Sequence, residues 1–270
     1  MFDDVRAREL KEEYKSRNIV DEKAFYDIWR EDISKDKNLM SRALNGGIVS
    51  DCFSWVFLSG YQSAISHTFS EVNKDDWASF AVSEDKRGEK PGLSWTNSDG
   101  VFVLDGYKTW VAGVGQTRQL VVKAGRGEGA LYFCVDRETE GLSFERKEKG
   151  FLPEMSEGIA CFNDVTLSHD KLVSHERVHL FGKSEILYIY LSFCGLVIGH
   201  SDDETMSEAC WRLAKTIGTA LQNDDYSEIK NIDHQIQKIR SKGQDSINGV
   251  PGWESDQKLI AMYSKGIQRN

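Results

Sequence analysis

Six histidines, five cysteines and a scatter of carboxylates are the residues able to bind a metal or move a proton. Their spacing excludes the common solutions. His175 and His179 stand four apart, which on one helix face could hold zinc. That stretch enters a helix only at its end, so no metal pair is expected, and His67, His169, His200 and His234 add no metal spacing. None of Cys52, Cys134, Cys161, Cys194 and Cys210 belongs to a CxxC pair, and all lie in apolar contexts. That is the pattern of buried, reduced thiols in a cytoplasmic protein. Walker loop, HExxH and GxSxG are absent, and Gly113-Val-Gly115 lacks the third glycine of a dinucleotide fingerprint. Glu185 stands out by position, in Phe181-Gly-Lys-Ser-Glu185 at the head of an apolar segment, where the positive end of a helix dipole favours an acid.

The whole chain narrows the classes further. Its 270 residues hold 43 acidic against 34 basic side chains, a net charge of −9. A nucleic-acid binder or peripheral membrane protein usually shows a basic excess, so neither is expected. Seven tryptophans and 40% hydrophobic residues are too apolar for disorder. The length suits one large domain or two to three small ones. Met1-Phe2-Asp3-Asp4 turns charged at once, without an apolar signal core. The longest uncharged apolar run, Ile186 to Gly199, falls short of the roughly 20 residues of a membrane span and reads as a helix buried all round.

The elements that must position these residues fall into three zones. Residues 1–77 read as an N-terminal helical domain. Val5 to Tyr14 is the first helix, Asp21 caps a second that carries Phe25, Ile28 and Trp29, and Ser50 to Phe69 is a third, with Gly46-Gly47 as the break before it. Residues 78–176 switch to β-branched and aromatic runs: Phe80–Val82, Val101–Leu104, Tyr107–Val111, Leu120–Ala124, Ala130–Val135, Leu142–Arg146 and Gly158–Leu167. Asp99-Gly100 and Asp105-Gly106 are hairpin signals, and seven short strands suggest an antiparallel sandwich or barrel. Residues 177–270 form a C-terminal helical bundle: Ser184–Gly199, Asp202/Asp203–Leu221, Tyr226–Ser241, a loop from Gln244 to Gly252 holding Gly249 and Pro251, and Glu254–Gly266. The fold class is α+β, helices flanking a β domain.

The central zone resembles the middle domain of the acyl-CoA dehydrogenases. Phe102-Val-Leu-Asp-Gly-Tyr-Lys-Thr-Trp110 is similar to that family's N/D-G-x-K-x-W hairpin, Tyr132 to Leu142 to its paired strands, and Cys161 to Val173 to its F-x-D-V exit. The resemblance implies FAD lying across the β domain. Val82-Ser83-Glu84 matches the Val-Thr-Glu segment that lines the flavin ring, with serine for threonine. Trp110-Val111-Ala112 matches the Trp-x-Thr segment, with Ala112 in place of the hydroxyl that reaches flavin N5. The backbone N–H groups of Val111 and Ala112 remain available to face the ring.

The resemblance also gives Glu185 a second reading, beside the dipole one, as the base that takes the α proton of an acyl thioester while the β hydride passes to flavin. Ile186 stands where an arginine follows that glutamate. The family's Arg-x-x-Phe-Gly element, which reaches the partner subunit's FAD pyrophosphate, is replaced by the acids Asp202-Asp203-Glu204. Its Gln-x-x-Gly-Gly-x-Gly segment is missing, and Gly249-Val-Pro-Gly252 does not replace it. The chain reads as an acyl-CoA dehydrogenase-like scaffold with both helical layers shortened. Three functions follow: an FAD oxidoreductase on the CH–CH group of an acyl-CoA or related thioester, an FAD-lacking homologue acting as a binding or assembly partner, or a flavin-dependent monooxygenase. A homodimer or larger is expected, or pairing with a full-length relative, because Ile186 to Ile198 is apolar all round and needs cover.

Overall fold

The computed structural model describes residues 2, 4–14, 18–247 and 250–269, and the expectation at Gly249 lies outside them. The chain forms two compact units. The first joins residues 1–67 to residues 180–270, and the second is the stretch between, Thr68–His179. The three zones of the sequence are therefore two bodies in space, with both helical ends in one of them.

The helical unit contains α1 (Asp4–Tyr14), α2 (Glu22–Ile28), α3 (Leu39–Val49), α4 (Phe53–Thr68), α5 (Phe181–His200), α6 (Glu204–Gln222), α7 (Ile229–Ser246), α8 (Trp253–Asp256) and α9 (Lys258–Arg269). Asp21 caps α2, its carboxylate accepting from the Ala24 N–H at 2.8 Å. Such a cap stabilises a helix by about 1 kcal/mol. α2 then widens into a π-helical turn, Trp29–Ile33, that buries Trp29 and Ile33. α7 runs on to Ser246, beyond the expected loop start at Gln244.

Gly46-Gly47 is not a break. It lies inside α3, a helix the sequence reading missed. These glycines serve packing: a Cβ on Gly47 would strike the Ser192 carbonyl, one on Gly195 the Leu44 carbonyl, and one on Gly199 the Ile48 carbonyl. Small residues on both helices let α3 and α5 approach backbone to backbone. Gly60 does the same for α4, its absent Cβ facing Ile189 Cα of α5.

α5 is the centre of this unit. Leu187 to Val197 is fully buried around its whole circumference. With the preceding turn, Val178–His200 is long and apolar enough to cross a membrane, but 78% of the apolar 18-residue stretch within it is buried inside the protein, as in a core helix. The same burial overturns the argument that α5 needs a partner subunit, since its own chain covers it.

The β unit holds β1 (Ala78–Ala81), β2 (Ser94–Ser98), β3 (Val101–Ala112), β4 (Gln119–Ala124), β5 (Leu131–Asp136), β6 (Leu142–Arg146) and β7 (Glu157–Leu167). They form a three-stranded sheet, β1-β4-β5, and a four-stranded sheet, β2-β3-β7-β6. Phe102, Leu104, Val111, Leu120, Val122, Phe133 and Phe162 meet in its core. All pairings are antiparallel except β1 with β4, which is parallel.

Asp99-Gly100 makes the expected two-residue hairpin, both residues at positive φ (53° and 82°), between Ser98 and Val101. Asp105-Gly106 does not make one. It is a bulge inside β3, which runs on for twelve residues. Gly106 sits at φ 122°, where any Cβ would collide with the Gly92 carbonyl.

Candidate functional site

Each unit carries one group of the expected site residues. In the β unit, β1 ends at Ala81 and the chain emerges with Val82 37% exposed and Ser83 exposed. The Thr109 N–H donates to the Ser83 carbonyl at 2.9 Å. That bond lays residues 82–84 beside residues 109–112, so the two segments expected to line a flavin ring are neighbours. Trp110 is half-buried. Val82, Ser83 and Trp110 thus stand on neighbouring segments, each at least partly open to solvent.

The other three residues are engaged elsewhere. Glu84 accepts from Lys108 Nζ at 2.7 Å and pairs with Arg126 at 3.8 Å. Burial alone would raise the Glu84 pKa, but the hydrogen bond and charge of Lys108, with help from Arg126, hold it below the usual range. Burial pushes the fully buried Lys108 down, and Glu84 opposes that. Glu84 therefore serves to neutralise a buried ammonium. Val111 and Ala112 are fully buried in the ladder opposite Gly158 and Glu157. The Ala112 N–H donates to Ser79 Oγ at 3.2 Å.

In the helical unit, Glu185 is the fifth residue of α5, past a first turn that contains no acid. The dipole explanation, which falls off beyond the first turn, does not account for it. The side chain is half-buried, and burial pushes its carboxyl up from 4.5 to about 7. The nearby Tyr263 of α9 pulls the other way. The Tyr263 hydroxyl is in turn raised well above its ordinary value by burial and by the nearby Glu185 and Tyr61. A carboxyl poised near neutrality can take up and release a proton at physiological pH. Tyr263 was not foreseen. Its signal was faint: α9 buries Leu259, Ile260 and Ile267, and position 263 falls on the same face.

The remaining candidates have local explanations. Asp203 caps α6, accepting from Thr205 N at 2.9 Å and Met206 N at 3.3 Å, which accounts for one acid of the 202–204 run. His175 and His179 are both exposed. Among the described residues no group of three or more His, Cys, Asp or Glu side chains could hold a metal ion.

No family model matches the sequence, and no curated protein matches it. Solved structures do match in fold. The butyryl-CoA dehydrogenase of Megasphaera elsdenii superposes with a TM-score of 0.59 at 10% identity, over 100% of this chain and 99% of that one. The prolyl acyl carrier protein oxidase AnaB gives a TM-score of 0.66 at 11% identity, over 99% and 94%. A structure described as an FAD-dependent dehydrogenase gives 0.58 at 16%, over 98% and 82%. The resemblance carried by the β-zone motifs holds at the level of the fold: this chain folds as the acyl-CoA dehydrogenase-type flavoproteins do.

Proposed function

We propose that the protein is an FAD-dependent oxidoreductase acting on the CH–CH group of an acyl thioester, with Glu185 as the base. The carrying observation is Glu185 itself, a half-buried carboxyl held near pKa 7 on the core helix of a fold shared with acyl-thioester flavoenzymes. A general base works best with its pKa near the operating pH, and desolvation supplies that here. Val82, Ser83 and Trp110 would hold the flavin ring. Ser83 offers a hydroxyl to its polar edge and Trp110 an aromatic face. A flavin held there would supply a hydride acceptor for the β carbon. Glu185 takes the α proton, and its rise towards 7 keeps it basic enough to do so while it remains ionised at slightly alkaline pH.

The test is the visible spectrum of purified protein with added FAD, then with an acyl thioester. Stoichiometric flavin uptake and bleaching by thioester are expected. Glu185→Gln should keep the flavin and slow bleaching by roughly 10²–10⁴-fold. A colourless protein that takes up no FAD would instead favour the second reading, a flavin-free binding or assembly partner on the same scaffold. That reading draws on two observations: Glu84 is tied up by Lys108, and the Ala112 amide by Ser79.

A further inference from the structure

One titratable cluster of the helical unit has no part in the proposed reaction. At the end of α4, His67 Nε2 lies 3.1 Å from Asp224 Oδ1, and His67 Nδ1 lies 3.2 Å from the Tyr188 hydroxyl of α5. A carboxylate only accepts, so Nε2 carries a hydrogen, and in the neutral ring Nδ1 accepts from Tyr188. Asp224 follows α6 at φ 50°, in the left-handed region, and also accepts from the Tyr226 hydroxyl at 3.3 Å.

His67 and Tyr188 border a groove. Two adjoining hollows of about 470 and 460 Å³ share Asn38, Met40 and Gln222, and so form one groove between the head of α3 and the second half of α6. Leu39, Met40 and Leu221 give it an apolar lining. Its charged lining has one sign. Lys37 lines the hollow that holds His67, Lys215 lines the other, and among the described residues no carboxylate lines either. In a chain of net charge −9 that is a local reversal. The N-terminal end of the eleven-residue α3 adds positive potential.

Gly218 of α6 keeps the second hollow open. A Cβ there would meet Met40 Sδ and the Phe2 ring at 3.4 Å, an ordinary contact. Close packing therefore does not demand glycine, which costs a helix interior about 1 kcal/mol against alanine. What the glycine preserves is space.

We propose that this groove binds an organic carboxylate with an apolar body, and that binding draws a proton onto His67. Lys37 meets the carboxylate, and the body lies on Leu39, Met40 and Leu221. Once protonated, the His67 ring donates from both nitrogens, to Asp224 and to the Tyr188 oxygen. The Tyr188 hydrogen is thereby turned off the ring and given to the carboxylate. The charges around His67 oppose one another. Asp224 favours its protonation, whereas Lys37 before α3 and Lys215 of α6 disfavour it. Tyr188 and Tyr226 also face the cluster, with Lys183 of α5 over the Tyr226 ring at 5.8 Å. A bound carboxylate offsets the two lysines and tips His67 to its charged form. By linkage, affinity rises as pH falls.

The test titrates the full chain with sodium octanoate at about pH 6 and about pH 8. NMR follows the Met40 methyl and the His67 ring, assigned by their loss in Met40→Leu and His67→Gln. Both signals should move and saturate, with half-saturation at roughly tenfold less octanoate at the lower pH. Octanamide, with the same chain and no charge, should leave them in place. Lys37→Ala should raise half-saturation by about twofold to fivefold. Lys37 is exposed, so this variant probes the site without disturbing the core. Gly218→Leu should fill the groove and abolish the shifts while helix content by circular dichroism is kept. The site is overturned if octanoate leaves both signals unmoved, if octanamide moves them equally, or if Lys37→Ala changes nothing. His67→Gln, followed at Met40, should show the weaker alkaline affinity at both pH values. The proton coupling is overturned if this variant keeps the pH dependence. Both signals report the groove, so the outcome is independent of flavin uptake and of Glu185.

Discussion

Glu185 concentrates the chemistry of the helical unit in one titration. Its carboxyl is raised in the folded protein from 4.5 to about 7, so the base form is gained as pH rises through 7. Thioester-driven flavin reduction should therefore climb about tenfold per unit below pH 7 and level off above it. Stability runs the other way. Between 4.5 and 7 the folded state binds more protons at this site than the unfolded state, so its contribution falls as pH rises through that window. Glu185→Gln should flatten both profiles, measured by rapid-mixing absorbance and by urea midpoints at stepped pH. Glu185 was legible in the sequence through the family resemblance, which puts a glutamate near the start of the first helix after the β domain; its position alone suggested only a helix-dipole acid. Tyr263 was not legible, because a tyrosine on an amphipathic stripe is indistinguishable from core until the helix it faces is known.

At the level of elements, the same dipeptide proved to have two meanings. Asp99-Gly100 and Asp105-Gly106 are alike in sequence, yet one turns a hairpin and the other bulges a continuous strand. What separates them is distant: Gly106 must clear the Gly92 carbonyl, a contact no local window contains. β2 was missed for a related reason. Ser94–Ser98 is a polar strand with four of its five residues exposed, so it lacks the alternation that marks a strand. Gly46-Gly47 read as a stop because glycine is a poor helix former. Its use, close approach of α3 to α5, belongs to tertiary packing. Gly195→Ala should accordingly cost about 1–3 kcal/mol or more in urea unfolding. Gly266→Ala, an exposed site with open space for a Cβ, should be neutral or slightly stabilising.

For the whole molecule, composition and zone order were enough to give the α+β class, but not that two distant helical zones share one core. Two cores in one chain predict departure from two-state unfolding. Calorimetry is expected to return a van't Hoff enthalpy below the calorimetric one. Gly195→Ala should lower the helical unit's transition and Val122→Ala that of the β unit.

The insertion of the β unit also sets an order of events during synthesis. α3 and α4 leave the ribosome with their glycine-lined faces bare, and α5, which must cover them, follows more than a hundred residues later. At ordinary elongation rates that wait is roughly 5–20 s. The β unit, one uninterrupted stretch of chain, can be finished in that interval. Until α5 emerges, the nascent N-terminal helices leave uncovered the apolar faces that it will bury.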